Sequence, residues 1–338
     1  MTDDPERKSL ICETLHSHFG GTWEITGTTR SNFSHICFCT DTDADKQMVV
    51  KDIVPHLFTE TPKYERRALA ERLNRRTHRF RELLASFGVL LTEEFMTTII
   101  LNGDGALHIT SHEGLNCLEL LRQNPTDDYA KSIIGKILTS ISGVLHQPQD
   151  RPIVGLDLQL ANFTINSDCR YVDVFPPLYY DEENVIYIVH EPQPDNQDII
   201  DSHVRRKFLT PGTLRRFRHF VREVKPHWGH ILNDELERVL NPEMWKSVKS
   251  YFDTLPDKEI DKIDGQPTEA QLTRVISNID VNDLDGFRDI AAAVIPDIPE
   301  RIDLMKQTFM CLRTPGPGDP PINRIGELTR ILKPFTIG

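Results

Sequence analysis

The sequence lacks the features that mark membrane, disulfide-rich and zinc-scaffold proteins. No apolar run approaches the length of about 18 residues that indicates a transmembrane helix, and no signal peptide precedes the first predicted helix. Six cysteines are spread over 338 residues without a Cys-x-x-Cys pair, which argues against a zinc site. These absences predict a soluble protein of a reducing compartment, the cytoplasm, with no membrane partner.

Basic residues are outnumbered by acidic ones, 39 to 51, which gives a net charge of −12. This balance argues against a general nucleic-acid binder, and no nucleic-acid partner is expected. One basic block stands out; it contains Arg205, Arg206, Lys207, Arg215, Arg216, Arg218 and Arg222. The block could meet an anionic acceptor, a nucleic acid or another phosphate-bearing partner, but the prediction favours a solvated helix face.

Residues 153–175 form the stretch around which the rest of the chain is organised. An apolar run leads into a polar loop, and two short predicted strands (163–165 and 171–174) then form a hairpin. Asp157 and Asn162 lie on the loop, and Asp173 closes the hairpin. Carboxylate and amide oxygens of this kind suit Mg²⁺. The alternative is a surface hairpin whose Asp and Asn residues are turn formers.

The pattern Asp-Leu-x-x-x-Asn, two short strands and then Asp resembles the catalytic loop and metal site of the protein-kinase-like fold. The apolar lead-in and short hairpin are more similar to the aminoglycoside phosphotransferase and choline kinase branch. By this resemblance Asp157 is the catalytic base, while Asn162 and Asp173 bind Mg²⁺. Two departures indicate a divergent member: Gly155 replaces the usual His, and Asp-Val-Phe replaces Asp-Trp or Asp-Phe-Gly.

The N-terminal part predicts a helix at 5–19 and three antiparallel strands. Lys51 lies on the third strand, where the resembling family has the lysine that pairs with ATP phosphates. The preceding loop contains Ser31, Asn32 and Ser34, whose hydroxyl, amide and backbone N–H groups are candidate phosphate donors. No G-x-G-x-x-G is present, so an ordinary hairpin with a solvent-facing Lys51 is the alternative.

A strongly amphipathic helix is predicted at 62–87. The resemblance implies that a Glu from this helix pairs with the strand lysine; Glu71 is the first candidate and Glu65 the second. Either carboxylate could instead pair with a helix arginine at i,i+4 spacing. A further hairpin (96–101 and 106–111) leads to a linker in which Glu113 and its neighbours are expected to line the nucleotide pocket.

The order of these elements, followed by a helix at 127–146 and the 153–175 stretch, predicts an α+β fold of the two-lobed protein-kinase-like kind. The small antiparallel-sheet N-lobe is assigned to residues 1–113, and the larger, mainly helical C-lobe to 114–338. Residues 228–255 and 268–312 are predicted to be mainly helical, and 322–333 to form a last helix.

The resemblance implies an ATP- and Mg²⁺-dependent phosphotransferase acting on a hydroxyl of a small molecule. Antibiotics, nucleosides, sugars and amino alcohols are the candidate acceptors, with roles in antibiotic resistance or natural-product biosynthesis. A protein kinase is a second hypothesis, although the chain has no His-Arg-Asp and no Ala-Pro-Glu segment. A catalytically inactive kinase-like binding module is a third, favoured by Gly155 and by the missing glycine-rich loop.

Overall fold

A computed structural model describes most of the first 253 residues. The described residues are 5–30, 34–44, 46–53, 62–99, 106–112, 114–175, 177–180 and 207–253. The chain divides into two compact units, one formed by Met1–Gln147 with Leu160–Gln193 and the other by Pro148–Gln159 with Pro194–Gly338. The predicted boundary between lobes at residues 113 and 114 stays a prediction.

The first unit contains most of the described strands and helices. Its elements are α1 (Pro5–Phe19), β1 (Trp23–Arg30), β2 (Ser34–Asp41), β3 (Lys46–Ile53), α2 (Lys63–Ser86), β4 (Glu94–Ile99), β5 (Ala106–Ser111), α3 (Cys117–Gln123), α4 (Asp127–Ser140), α5 (Ser142–Leu145), β6 (Phe163–Ile165) and β7 (Cys169–Tyr171). Strands β1 to β5 form one antiparallel sheet in the order β1-β2-β3-β5-β4, and β6 pairs with β7 in a separate hairpin.

Helix α1 covers one face of the five-stranded sheet. Side chains alternate between the two faces of a strand, so Met48 and Val50 of β3 share the face that α1 covers. The cluster beneath the helix contains Ile11, Leu15, Trp23, Cys37, Cys39, Met48, Val50, Leu107 and Ile109. Cys37 and Cys39 are therefore core thiols, and burial raises the pKa of Cys37 to about 11.

The alternation along β3 separates two charged neighbours. Asp52 lies on the α1 side of the sheet, where it is almost fully buried. There Arg7 of α1 donates to both of its oxygens, from Nε at 2.9 Å and from Nη2 at 2.6 Å. Lys51, the preceding residue, therefore points to the opposite face. Strand β3 thus anchors α1 through Asp52 and carries Lys51 on its other face.

The β6–β7 hairpin is attached to the rest of the first unit by backbone hydrogen bonds. The Tyr171 N–H donates to the Leu90 carbonyl at 2.8 Å, just beyond the end of α2. On the inner side, Phe163 and Tyr171 are both buried and their ring centroids lie 5.3 Å apart. The short hairpin is therefore fixed by burial and by pairing with an earlier segment, although each strand has only three residues.

The second unit contains the segment that carries Asp157 and three described helices, α6 (Thr210–Val224), α7 (Trp228–Val239) and α8 (Pro242–Asp253). Two hydrogen bonds hold the Asp157 segment against the start of α6. The Leu156 N–H donates to the Lys207 carbonyl at 2.7 Å, and the Thr210 N–H donates to Gln149 Oε1 at 2.7 Å. The segment is therefore anchored on both sides of Gly155.

The predicted α+β class and the predicted order of strands and helices are confirmed for the described residues. The helix predicted at 5–19 has those bounds, and the predicted 62–87 helix is α2. Of the predicted C-terminal helices, those at 268–312 and 322–333 lie outside the described residues. In the part of the chain that the structure describes, no helix combines the length and apolar character needed to cross a bilayer.

Candidate functional site

Lys51 reaches the carboxylate that follows the hairpin. Its ammonium donates to Asp173 Oδ1 at 2.7 Å and lies 3.5 Å from the Val172 carbonyl. The Asn162 amide donates to the other oxygen of Asp173 at 3.3 Å. The first unit therefore brings together three of the residues that the sequence singled out: Lys51, Asn162 and Asp173.

The hairpin explains why Asn162 and Asp173 meet although they are 11 residues apart. Asn162 ends a 3-10 turn directly before β6, and the Val172 N–H donates to its carbonyl at 2.9 Å. This backbone bond closes the base of the hairpin, so the next residue, Asp173, lies beside the Asn162 side chain. Lys51 is largely buried, and the alternative of a solvent-facing lysine is wrong.

His108 also contributes to the surroundings of Lys51, and the sequence reasoning missed it. His108 is paired with Lys51 across β3 and β5 and is fully buried. Desolvation, with smaller contributions from Lys51 and Arg81, lowers the pKa of His108 to about 3. The imidazole is therefore neutral beside the ammonium. The signal that could have found it is alternation along β5: Leu107 and Ile109 are apolar, so His108 between them lies on the opposite face of the strand.

Asn162 and Asp173 provide the donor atoms that a magnesium site needs from a protein. Among the described residues, no group of three or more His, Cys, Asp or Glu side chains could hold a metal ion. One carboxylate and one amide oxygen nevertheless suit Mg²⁺, which binds few protein ligands and keeps water and phosphate oxygens in its shell. The chemistry of the pair fits the predicted role, and the role itself stays a prediction.

The structure does not form the predicted pair between Lys51 and a carboxylate of the long helix. Glu71 instead accepts from Arg67 Nε at 3.1 Å, and 48% of its side chain is exposed. Glu65 is also exposed, in the first turn of α2. The physical reason is the spacing: Arg67 lies one helical turn before Glu71, where an i,i+4 pair forms without any contribution from the sheet.

Of the remaining residues predicted to bind the nucleotide, the structure describes only one. Ser34 is buried at the start of β2, and its role as a phosphate donor stays a prediction. Ser31, Asn32 and Glu113 lie outside the described residues.

Asp157, in the second unit, is held by two basic side chains, Lys207 just before α6 and Arg216 in the second turn of α6. Lys207 forms a hydrogen-bonded ion pair with Oδ2, and Arg216 Nε lies 3.0 Å from Oδ1. Gln159 Nε2 also donates to Oδ1, at 3.2 Å. Burial alone would raise the pKa of Asp157, but Lys207 and Arg216 lower it by more. The pKa of this carboxyl therefore lies well below its ordinary value.

The prediction that the side chains of the basic block are exposed to solvent is wrong for three of them. Lys207, Arg215 and Arg216 are 9%, 2% and 6% exposed. The sequence could not show this, because the burial of Arg216 depends on Asp157, which lies 59 residues earlier. The other described members, Arg218 and Arg222, are only partly buried.

Gly155 occupies a position where the backbone leaves no space for a side chain. A Cβ atom there would lie 2.9 Å from the Lys207 carbonyl oxygen and 3.0 Å from the Phe208 ring. The hydrogen bond between the Leu156 N–H and the Lys207 carbonyl fixes this close approach. The segment at Lys207 therefore leaves no space for a side chain at position 155.

Gly155→Ala should destabilise the protein by about 1–3 kcal/mol, because the backbone at Lys207 must move to accept the methyl group. Urea unfolding measures this difference in the free energy of unfolding. Gly27→Ala is the matched control: its Cβ would lie 3.4 Å from the Phe38 side chain, an ordinary contact. Equal stability of the two variants would contradict the close approach.

Comparisons with known proteins give no family assignment. No family model matches the chain, and no curated protein sequence matches it. Among solved structures, it is similar to the kinase domain of PknI from Mycobacterium tuberculosis. The TM-score is 0.36 and the sequence identity 9%, and the match covers 68% of this chain and 95% of that chain.

Proposed function

We propose that the protein transfers the γ-phosphoryl group of ATP to a hydroxyl group of a small molecule, with Mg²⁺ as the metal. The observation that carries the proposal is the cluster of Lys51, Asn162 and Asp173. A buried ammonium, a carboxylate and an amide side chain are the groups that hold nucleotide phosphates and their metal ion. Asp157, five residues before Asn162, supplies the carboxylate for the acceptor.

In the proposed reaction, the acceptor hydroxyl oxygen forms a bond to the γ-phosphorus. The bond from that phosphorus to the bridging oxygen breaks, and ADP leaves with the electron pair. Asp157 orients the hydroxyl and takes its proton late in the step. Lys51 holds the α- and β-phosphates, while Asn162 and Asp173 hold Mg²⁺, which neutralises phosphate charge when bound. Positioning and electrostatics supply most of the rate enhancement.

A second candidate is a nucleotide-binding module without catalysis. It is favoured by Asp157 itself, whose two oxygens are already engaged by Lys207, Arg216 and Gln159. A carboxylate held in this way keeps its position, and its Oδ2 accepts a new hydroxyl only if Lys207 or Arg216 moves away. Binding of ATP without turnover of any acceptor distinguishes this candidate from the first.

The test is Mg²⁺-dependent release of ADP from ATP by the full chain, with a panel of hydroxylated antibiotics, nucleosides, sugars and amino alcohols. We expect release with one acceptor class, and a loss of about a hundredfold or more in kcat/KM for Lys51→Met, since an aligned charged donor is removed. Lys46→Met, at an exposed position on the same strand, is the control and should keep full activity. Transfer of phosphate to a protein substrate instead would favour a protein kinase.

A further inference from the structure

The carboxylate of Asp157 is surrounded by hydrogen-bond donors. Oδ1 lies 3.0 Å from Arg216 Nε and 3.2 Å from Gln159 Nε2. Oδ2 accepts from Lys207 Nζ and, at 3.4 Å, from Arg216 Nη2. An ionised carboxylate offers about four lone-pair sites, two on each oxygen. The hydrogen bonds from Lys207 and Arg216 use both sites of Oδ2. An acceptor hydroxyl can therefore donate to Oδ2 only after one of these two donors moves away.

Lys207 is the donor that can leave most readily. It meets Asp157 through a single ammonium on a flexible four-carbon stem. Arg216, by contrast, reaches both oxygens through its planar guanidinium, which also lies over the Phe220 ring at 5.4 Å. Gln159 is two residues from Asp157 and on the same backbone turn.

A buried ammonium that leaves one carboxylate needs another anion. Lys207 is 9% exposed, and Arg215 and Arg216, on the adjoining helix, are buried as well. Separating a buried cation from its counter-ion is strongly unfavourable unless a new negative charge takes its place. An incoming acceptor that carries a negative group meets this requirement, whereas a neutral or cationic acceptor does not.

We propose that Lys207 and Arg216 form an anion-binding subsite beside Asp157, and that the hydroxylated acceptor carries a phosphate or carboxylate group that binds there. The group takes over the Lys207 contact, and Asp157 Oδ2 is then available to the acceptor hydroxyl. This inference rests on the proposed phosphotransferase function and narrows its acceptor class from any hydroxylated small molecule to anionic ones, such as sugar phosphates and hydroxy acids.

The test compares acceptors that differ by one anionic group: glycerol with glycerol 3-phosphate, ribose with ribose 5-phosphate, and glucose with glucuronate. ADP release by the full chain is measured with ATP and Mg²⁺. We expect the anionic member of a pair to have a kcat/KM higher by about tenfold or more, which corresponds to one charged hydrogen bond. Lys207→Met should raise KM for that acceptor by a similar factor without changing KM for ATP.

Two further variants control the interpretation. Lys207→Arg keeps the charge and should recover part of the affinity for the acceptor. Lys249→Met makes the same substitution at an exposed position of α8 and should behave as the wild type. A preference for the neutral members of the pairs would overturn the proposal. So would a Lys207→Met variant with a raised KM for ATP alone, because that result assigns the lysine to the nucleotide.

A binding measurement without ATP separates failure of the subsite from failure of the proposed function. If the panel gives ADP release but none of these anionic acceptors does, the acceptor assignment falls and the proposed function stands. If neither the panel nor these acceptors give ADP release, the phosphotransferase function falls as well. The subsite is then decided by thermal unfolding with glycerol 3-phosphate, with glycerol as the control. Stabilisation of the wild type by glycerol 3-phosphate that is lost in Lys207→Met supports the subsite. No stabilisation of the wild type, or equal stabilisation of the wild type and Lys207→Met, overturns it.

Discussion

Asp157→Asn is expected to lower the rate of ADP release by about 10²–10⁴-fold, the usual contribution of a general base. The asparagine amide has nearly the same shape but cannot take the proton of the acceptor hydroxyl. It also removes the negative charge that Lys207 and Arg216 share. The measurement is kcat/KM for the acceptor found in the panel, with ATP binding checked separately by thermal shift.

Asp168→Asn is the control for this loss. Asp168 is an exposed residue of the turn between β6 and β7, so the same substitution there should leave turnover unchanged. Turnover by Asp157→Asn within a few-fold of the wild type would contradict the assignment of Asp157 as the base. ATP binding retained by an inactive variant would show that the loss arises in the transfer step.

The pairing of Asp157 also makes a contribution to stability that depends on pH in a defined direction. A carboxyl whose pKa is lower in the folded than in the unfolded state stabilises the protein above its unfolded pKa. That contribution is lost as the pH falls through the folded value. The pKa of Asp157 is lowered, so the stability difference between the wild type and Asp157→Asn should stay constant from about pH 5 to 8 and shrink only in stronger acid.

Asp52→Ala should lower the free energy of unfolding by about 3–5 kcal/mol, because it leaves Arg7 without the carboxylate that holds it on the sheet. Arg7 donates to both oxygens of Asp52, and the Asp52 side chain is only 1% exposed. The effect should be measured by urea unfolding at neutral pH. The double variant Arg7→Met/Asp52→Leu should recover part of the loss, since an apolar pair often replaces a buried ion pair at little cost.

The exposed pair of Arg67 and Glu71 on α2 is the matched control for Asp52. Their geometry is also that of an ion pair, at 3.1 Å, but 81% and 48% of the two side chains are exposed. Glu71→Ala should therefore cost no more than about 0.5 kcal/mol. A cost for Asp52→Ala as small as that for Glu71→Ala would show that the Arg7–Asp52 pair does not anchor α1.

The sequence predicted those features that depend on local periodicity. The predicted third strand, which carries Lys51, is β3, and the bounds of α1 followed from its apolar spacing and the glycines after it. The short distance between Asn162 and Asp173 also follows from local structure, because one hairpin separates them.

Other features depend on contacts between distant segments, which periodicity does not specify. Helix spacing shows which carboxylates share a face of α2, but it could not show that Asp173 rather than Glu71 pairs with Lys51. In the same way, the arginine-rich block predicted a helix face exposed to solvent, and only the structure shows that Arg216 pairs with Asp157. The sequence showed Gly155 as a departure from a motif. It could not show the close approach at this position, because the Lys207 carbonyl lies 52 residues further along the chain.

The long-range pairing in the first unit has a consequence for the order in which the chain can fold during synthesis. Ile11 and Leu15 are made early, but they pack with Leu107 and Ile109, so the sheet core cannot close before β5 has left the ribosome. The ion pair of Lys51 forms later still, because its counter-ion Asp173 lies 122 residues further along the chain. Until Asp173 has been synthesised, Lys51 therefore has no Asp173 carboxylate to pair with, and until β5 has been synthesised α1 has no complete sheet to pack against.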